Sequence, residues 1–227
     1  MPAHRIAEKP SKIKVADVAG QDAACGEDFI GHVGISIENR DGLTYSSRVL
    51  RLVHMGPPLQ RDTDDVAQEI DVVASLDLTA DERSRIEMFV DELEFEYESE
   101  KARPRRQYII KPHFVADDED KFPFPRFSCG GFVIETYREI DIDLLKTDDS
   151  SLPLVNLETL VKSYPDHERR LRHRKLRTIY GLVEDGPWPV VLSGYVCHAL
   201  NRDSAECRSA PYSAKVGDEY FPARGRL

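Results

Sequence analysis

The sequence predicts an α+β protein in which a small, mostly antiparallel sheet packs against a helix. Three patterns indicate this class. Residues 29–37 alternate between apolar and polar side chains, which is typical of a half-buried strand. Residues 79–82 match the pattern of a helix capping box. Residues 129–137 carry apolar side chains at helical spacing, which indicates a second helix.

The first 27 residues precede these elements and have a largely polar composition. We expect residues 1–27 to form an N-terminal arm with one short strand around Ile13 to Val18. The chain has 227 residues, enough for one domain that buries about 70% of the surface exposed by its unfolded chain. Residues 28–227 are therefore interpreted as a single domain with a C-terminal extension.

The alternating segment places His32 on the face opposite the apolar row, with Gly34 beside it. Turn-forming residues at 39–42 and a second β-rich segment at 48–55 follow. The two segments predict a hairpin in which His54 lies near His32 and orients its ring. The alternative for His54 is an ordinary hydrogen bond at the surface.

Between the hairpin and the second helix, the capping box predicts a helix from about 80 to 97. Residues 108–110 predict a short strand, and a loop rich in phenylalanine and proline continues through 126. The phenylalanines of this region either wall a substrate cleft or pack in the core. They are Phe122, Phe124 and Phe127.

Cys129 lies where this loop turns into a helix, directly before two glycines. A thiol reacts as its thiolate, which is a minor species at neutral pH unless the surroundings stabilise it. The positive end of a helix, with its unpaired backbone N–H groups, supplies such stabilisation. Glycines at this place let another backbone or a substrate approach closely. The alternative is a buried cysteine in a core helix.

Beyond the Cys129 helix, the pattern predicts a short helix over 154–164 and a buried strand over 190–194. Cys197 and His198 follow as neighbours in the sequence. Adjacent side chains diverge on both strands and helices, so these two do not form a nucleophile–base pair. His198 is kept as an alternative partner for Cys129.

The net charge of −10 disfavours nucleic-acid binding, because neutralising phosphates requires clustered cations. The basic cluster at 169–177 is interpreted as a solvated helix face. No apolar run is long enough for a membrane span, and the first residues lack the apolar segment of a secretory signal. The four cysteines lack zinc-binding spacing. We therefore expect a cytoplasmic protein with reduced thiols, no metal and no other cofactor.

Two short motifs resemble a known family. Gly31-His-Val-Gly-Ile35 on a strand, followed much later by Phe127-Ser-Cys-Gly-Gly-Phe-Val133 at a helix start, is similar to the circularly permuted NlpC-type, papain-like cysteine hydrolases. In the permuted branch the histidine strand precedes the cysteine helix, as it does here. The resemblance implies that Cys129 is the nucleophile, His32 the general base and His54 the third, orienting residue.

The resemblance covers roughly residues 28–145 and implies a papain-like fold. It also implies a cysteine peptidase or amidase, a hydrolase that cleaves an amide, peptide or acyl bond through a thioester. The expected partner is then a peptide or acyl substrate. Two alternatives stay open: an acyltransferase, in which an amine or alcohol resolves the thioester, and a non-catalytic protein-interaction module on the same scaffold.

Overall fold

The computed structural model of the chain describes residues 4–7, 29, 31–38, 50–56, 59–62, 72–76, 78–99, 107–116 and 124–220. Within these residues the chain combines a five-stranded antiparallel sheet, two short two-stranded sheets and seven α-helices. The predicted α+β class is confirmed.

The five-stranded sheet has the strand order β4-β3-β2-β1-β5, and each neighbouring pair is antiparallel. Its strands are β1 (His4–Ala7), β2 (Gly34–Glu38), β3 (Leu50–Met55), β4 (Leu59–Asp62) and β5 (Val72–Leu76). Four residues of the predicted N-terminal arm therefore form a strand between β2 and β5. The strand predicted around Ile13 to Val18 lies outside the described residues.

The predicted hairpin is confirmed by the pairing of β2 with β3, in which Ile35 lies opposite Val53. Both side chains are fully buried, as the alternation predicts for Ile35. The prediction that His32 lies within the strand is wrong, because β2 begins at Gly34. Gly34 pairs with Ala7, the last residue of β1, and the ladder of backbone hydrogen bonds ends there.

Helix α1 (Ala80–Ser99) begins at the predicted capping box. The Thr79 amide donates to Glu82 Oε2 over 2.7 Å, and the Glu82 amide donates to Thr79 Oγ1 over 3.2 Å. These bonds satisfy backbone N–H groups at a helix start, where no intrahelical partner exists. The predicted apolar face is buried in the core at Ile86, Val90 and Leu93.

Helix α2 (Cys129–Arg138) has eight buried residues out of ten. Its start is capped by Ser128, whose hydroxyl accepts a hydrogen bond from the Gly131 amide over 2.9 Å. The helix packs against β2 and β3, and also against α1 and a later helix, α6 (Ser193–Leu200). The prediction that the Cys129 helix packs on the hairpin is therefore confirmed.

The remaining elements are short. The two-stranded sheets pair β6 (Phe114–Val115) with β7 (Arg126–Phe127), and β8 (Leu154–Val155) with β9 (Trp188–Pro189). The other helices are α3 (Leu157–Ser163), α4 (Glu168–Leu171), α5 (Arg174–Arg177) and α7 (Ser204–Ser209). Single 3-10 turns occupy Pro165–His167 and Thr178–Tyr180.

Three predicted elements differ from the structure. The helix predicted over 154–164 is divided, because its first two residues form β8 and α3 begins at Leu157. Residues 190–192 are buried but connect β9 to α6 instead of forming a strand. A short buried apolar run is compatible with either state, and pairing partners decide between them. The strand predicted over 108–110 is absent, because Tyr108 forms only an isolated β-bridge to Phe127.

The basic cluster at 169–177 takes part in local ion pairs. Arg172 Nη1 lies 2.7 Å from Glu158 Oε1, and both side chains are exposed to solvent. The Arg177 side chain is buried and contacts the Asp185 carboxylate. The exposed pair agrees with the interpretation of the cluster as a solvated helix face, whereas the buried Arg177 and the division into two short helices depart from it.

Replacing Glu82 with glutamine tests the charge at the start of α1. A hydrogen bond from Arg208 holds the pKa of the Glu82 carboxyl at about 2, below its ordinary value of 4.5, although burial opposes this shift. The ionised carboxylate therefore stabilises the fold above pH 4.5, and this contribution is lost as the pH falls from 4.5 toward 2. We expect Glu82→Gln to lower the free energy of unfolding at neutral pH by about 1 kcal/mol.

Denaturant unfolding at several pH values measures this difference, which should shrink in acid as the wild-type carboxylate is protonated. Glu87→Gln, at an exposed position of the same helix, is the matched control. It should change the free energy of unfolding by no more than about 0.5 kcal/mol. A Glu82→Gln difference that is constant from neutral pH into strong acid would contradict the role given to Arg208.

Candidate active site

The two predicted histidines are in contact. His32 Nε2 lies 2.8 Å from His54 Nδ1, and the rings meet edge to face with centroids 4.7 Å apart and planes at 87°. His54 is 1% exposed and lies in β3, so the strand fixes its position. The prediction that His54 lies beside His32 is confirmed. Because one of the two nitrogens must carry the proton, the contact couples the tautomers of both rings.

Cys129 is the first residue of α2, and it is 1% exposed. Its sulfur lies 3.2 Å from the hydroxyl oxygen of Ser193, which is the first residue of α6. Unpaired backbone N–H groups give each helix start a partial positive charge. The starts of α2 and α6 therefore both lie at the thiol, whereas the sequence predicted the start of the Cys129 helix alone.

A tyrosine hydroxyl occupies the space in front of the Cys129 amide. The amide N–H donates to the Tyr108 hydroxyl oxygen over 3.4 Å, a long hydrogen bond. Tyr164 lies beside Tyr108, with ring centroids 6.0 Å apart, and its hydroxyl donates to the Val191 carbonyl over 3.4 Å. Burial raises the pKa of both phenols well above the ordinary value, and the neighbouring Cys129 adds to the effect. Both hydroxyls are therefore neutral at physiological pH.

The two glycines after Cys129 allow close packing, as the sequence predicted. A Cβ atom on Gly131 would lie 2.0 Å from the His113 carbonyl oxygen, a distance that no side chain tolerates. The same carbonyl accepts a hydrogen bond from the Ser128 amide over 2.9 Å. On Gly130, a Cβ would meet side-chain methyl groups of Val191 and Val196 at 3.1 and 3.3 Å. The first turn of α2 is thus enclosed by a backbone on one side and by α6 on the other.

The elements that carry or adjoin His32, His54 and Cys129 pack against one another. His54 lies in β3 and His32 directly before β2, and α2 packs on both strands. Within the described residues, the hydrogen bonds of Cys129 at its sulfur and at its amide N–H go to Ser193 and Tyr108. The pairing of the sulfur with the His32 imidazole stays a prediction.

Other candidates from the sequence have structural contacts. His198 Nε2 lies 2.8 Å from the Tyr220 carbonyl oxygen, and this contact connects α6 to the C-terminal segment. It gives no support to His198 as a partner of Cys129. Phe124 and Phe127 are buried in the core, which favours packing over a cleft wall. Phe122 lies outside the described residues.

Sequence reasoning missed Ser193, Tyr108 and Tyr164. Ser193 was placed inside a predicted strand, and Tyr108 was assigned to a short strand without a role. Their contacts with Cys129 join residues 64 and 21 positions apart in the chain. No local pattern encodes such a contact, because it depends on how α2 and α6 pack. Leu192 occupies the cap position of α6 without a side-chain cap, so no capping residue marks this helix start in the sequence.

Comparisons with protein-family models, with curated proteins and with solved structures give no match. Within the ranges that the structure describes, no group of three or more His, Cys, Asp or Glu side chains could hold a metal ion. No helix in those ranges is long and apolar enough to cross a membrane. Function is therefore inferred from the residues of the site.

Replacing Gly131 with alanine tests the packing of the site. Alanine favours the helical state by about 1 kcal/mol relative to glycine, but its methyl group would collide with the His113 carbonyl. We expect Gly131→Ala to lower the free energy of unfolding by about 2–3 kcal/mol, as overpacking usually does. Gly130→Ala is the matched control, because its neighbours are methyl groups that can adjust. Equal stability of the two variants in denaturant unfolding would contradict the backbone contact.

Proposed function

We propose that the protein is a cysteine hydrolase that cleaves an amide, peptide or acyl bond through a thioester on Cys129. His32 is the general base, and His54 orients its ring. One observation carries this proposal: the imidazoles of His54 in β3 and of His32 just before β2 contact each other over 2.8 Å, and the Cys129 helix packs on both strands. A cysteine at a helix start beside a histidine-bearing sheet is the arrangement of a permuted papain-like scaffold.

The proposed reaction requires water as its only co-reactant. His32 takes the proton from the Cys129 thiol, and the thiolate forms a bond to the acyl carbon while the carbonyl electron pair moves to oxygen. Collapse of this intermediate breaks the bond to the leaving group, which takes the proton from the imidazolium. Water, deprotonated by His32, then attacks the thioester and releases the acid and the thiol.

The oxygen of the tetrahedral intermediate needs hydrogen-bond donors. The Cys129 amide N–H points toward the position that the Tyr108 hydroxyl oxygen occupies at 3.4 Å. An oxyanion that accepts from this amide would displace the Tyr108 hydroxyl, and the neutral phenol would then have a proton to donate to the same oxygen. Loss of one such donor typically raises the barrier by about 3 kcal/mol. The buried surroundings strengthen both interactions, because water does not compete.

His54 holds the base in position. Its buried ring, fixed in β3, selects the tautomer and the orientation of the His32 imidazole through the 2.8 Å contact. General-base catalysis typically contributes about 100-fold or more to the rate. We expect His54→Ala to lower turnover by about 100-fold, because the base then lacks its fixed orientation. A His54→Ala variant with wild-type kcat/KM would remove His54 from the site.

Alkylation of Cys129 tests the thiolate–imidazole pair. Native protein is treated with iodoacetamide over a range of pH, and the Cys129 peptide is quantified by mass spectrometry. We expect labelling already at neutral pH, and His32→Ala should slow it about tenfold or more by removing the base. His173→Ala, an exposed histidine outside the site, is the matched control and should label as wild type does.

A Cys129 thiol that labels with the pH dependence of a free cysteine, unchanged in His32→Ala, would refute the proposal. It would instead support the non-catalytic interaction module. Incubation with an acyl-type activity probe adds a second readout, because the adduct should form on Cys129 alone. Cys129→Ser should abolish the adduct while the melting temperature stays close to that of the wild type.

A further inference from the structure

We propose that Ser193 is a positioning residue that donates its hydroxyl proton to the Cys129 thiolate. This inference rests on the proposed function, since it concerns the nucleophile of that site. Ser193 lies outside the motifs that suggested the site and belongs to a different helix, α6. Its role is to hold the sulfur in one orientation and to compensate its charge when the thiol is ionised.

The geometry of the contact is fixed by packing on both sides. The sulfur and the hydroxyl oxygen are 3.2 Å apart, and the residues are 1% and 3% exposed, respectively. The helices α2 and α6 begin at these two residues and pack directly on each other. Gly130 allows this approach, because its missing side chain leaves room for Val191 and Val196 next to it. Ser193 therefore has few other positions for its hydroxyl.

A buried thiolate requires such a partner. Ionising a group away from water costs free energy unless hydrogen bonds or opposite charges compensate it. At Cys129 the starts of two helices supply partial positive charge, and the Ser193 hydroxyl lies close enough to donate its proton to an ionised sulfur. Hydrogen bonds to ionised groups are stronger than those between neutral groups. The hydroxyl thus favours the thiolate over the thiol.

The same contact works in both protonation states. While Cys129 is a thiol, either the sulfur or the oxygen can be the donor. Once His32 has taken the thiol proton, Ser193 is the member of this pair that still has a proton to donate. When the sulfur binds the acyl carbon, negative charge moves to the carbonyl oxygen and the sulfur needs this hydrogen bond less. Ser193 therefore acts on the population of thiolate before attack.

Several titratable groups lie beside Cys129 or on the elements packed around α2. Burial keeps the two tyrosine phenols neutral, and the histidine pair lies on the hairpin side. The loop before β6 contributes a histidine whose ring lies 3.2 Å from a glutamate of α2. These groups are Tyr108, Tyr164, His32, His54, His113 and Glu135. None of them is altered by a substitution at position 193, so a changed pH profile reports on the serine.

Three serine variants test the inference. Ser193→Ala removes the hydroxyl, and Ser193→Thr retains it. Ser163→Ala is the matched control, because Ser163 is also buried but its hydroxyl donates to the Thr159 carbonyl within α3. For each variant, the rate of Cys129 alkylation is measured against pH on the full chain. The ultraviolet absorption of the thiolate is titrated in parallel, with the matching Cys129→Ala protein subtracted, and this readout does not depend on access of the reagent.

We expect Ser193→Ala to reduce alkylation at neutral pH about tenfold and to move the half-ionisation point of the thiolate signal about one unit upward. The rate should approach that of the wild type at high pH, where the thiol is ionised without help. A structural defect would lower the rate at every pH. Ser193→Thr should restore most of the neutral-pH rate, and Ser163→Ala should match the wild type.

The outcomes separate this inference from the proposed function. If Ser193→Ala matches the wild type while His32→Ala is slow, Ser193 has no role and the hydrolase proposal stands. If Ser193→Ala shifts the profile and His32→Ala does not, the serine contact holds and the proposed base is wrong. Equal loss in Ser193→Ala and Ser193→Thr at all pH values would also overturn the inference, because it would show that packing, not the hydroxyl, is required.

Discussion

The close contact between the His113 carbonyl and Gly131 fixes the position of α2, and the positions of the other groups around Cys129 depend on it. The carbonyl accepts from the Ser128 amide and leaves no room for a side chain at position 131. Because the start of α2 is held this way, Cys129 is directed into the interior, where its sulfur meets Ser193 of α6. A helix that is buried along most of its length has little freedom to tilt, since close-packed interiors transmit displacement. The position of Cys129 is therefore fixed by packing on several elements at once.

The interior around Cys129 contains more polar groups than a structural core needs. The Ser193 hydroxyl contacts the Cys129 thiol, and the Cys129 amide donates to the Tyr108 phenol. The neighbouring Tyr164 phenol donates to the Val191 carbonyl, in the connection before α6. Each has a hydrogen-bond partner, which is the condition for burying polar groups without a large loss of stability. Apolar side chains of similar volume would stabilise a core with fewer constraints. The presence of these groups is compatible with the proposed role of Cys129, in which the charge on the sulfur changes.

Local patterns predicted the fold class, and long-range packing determined what they missed. The capping box of Thr79 and Glu82 encodes a helix start within four residues, and the alternation before Ile37 together with the segment that ends at Met55 encodes the hairpin. The contact of His32 with His54 agrees with that prediction, because the hairpin places β3 beside the residues that lead into β2, although His32 itself lies before the strand. Ser193 could not be found this way. Its neighbour in space is decided by two helices that meet only in the folded chain, and its apolar surroundings resemble a buried strand.

The interior position of β1 has a consequence for how the sheet assembles. Among the strands that the structure describes, β1 is the one that joins β5 to β2 by hydrogen bonds, and its two partners come from distant parts of the sequence. Pairings between distant segments form late, because the loop-closure entropy must first be overcome. Until β1 is inserted, β2 and β5 each present an open edge that can recruit a strand from another molecule. A partly folded state that lacks β1 is therefore the one most exposed to pairing with another molecule. Insertion of the four residues of β1 covers these two edges.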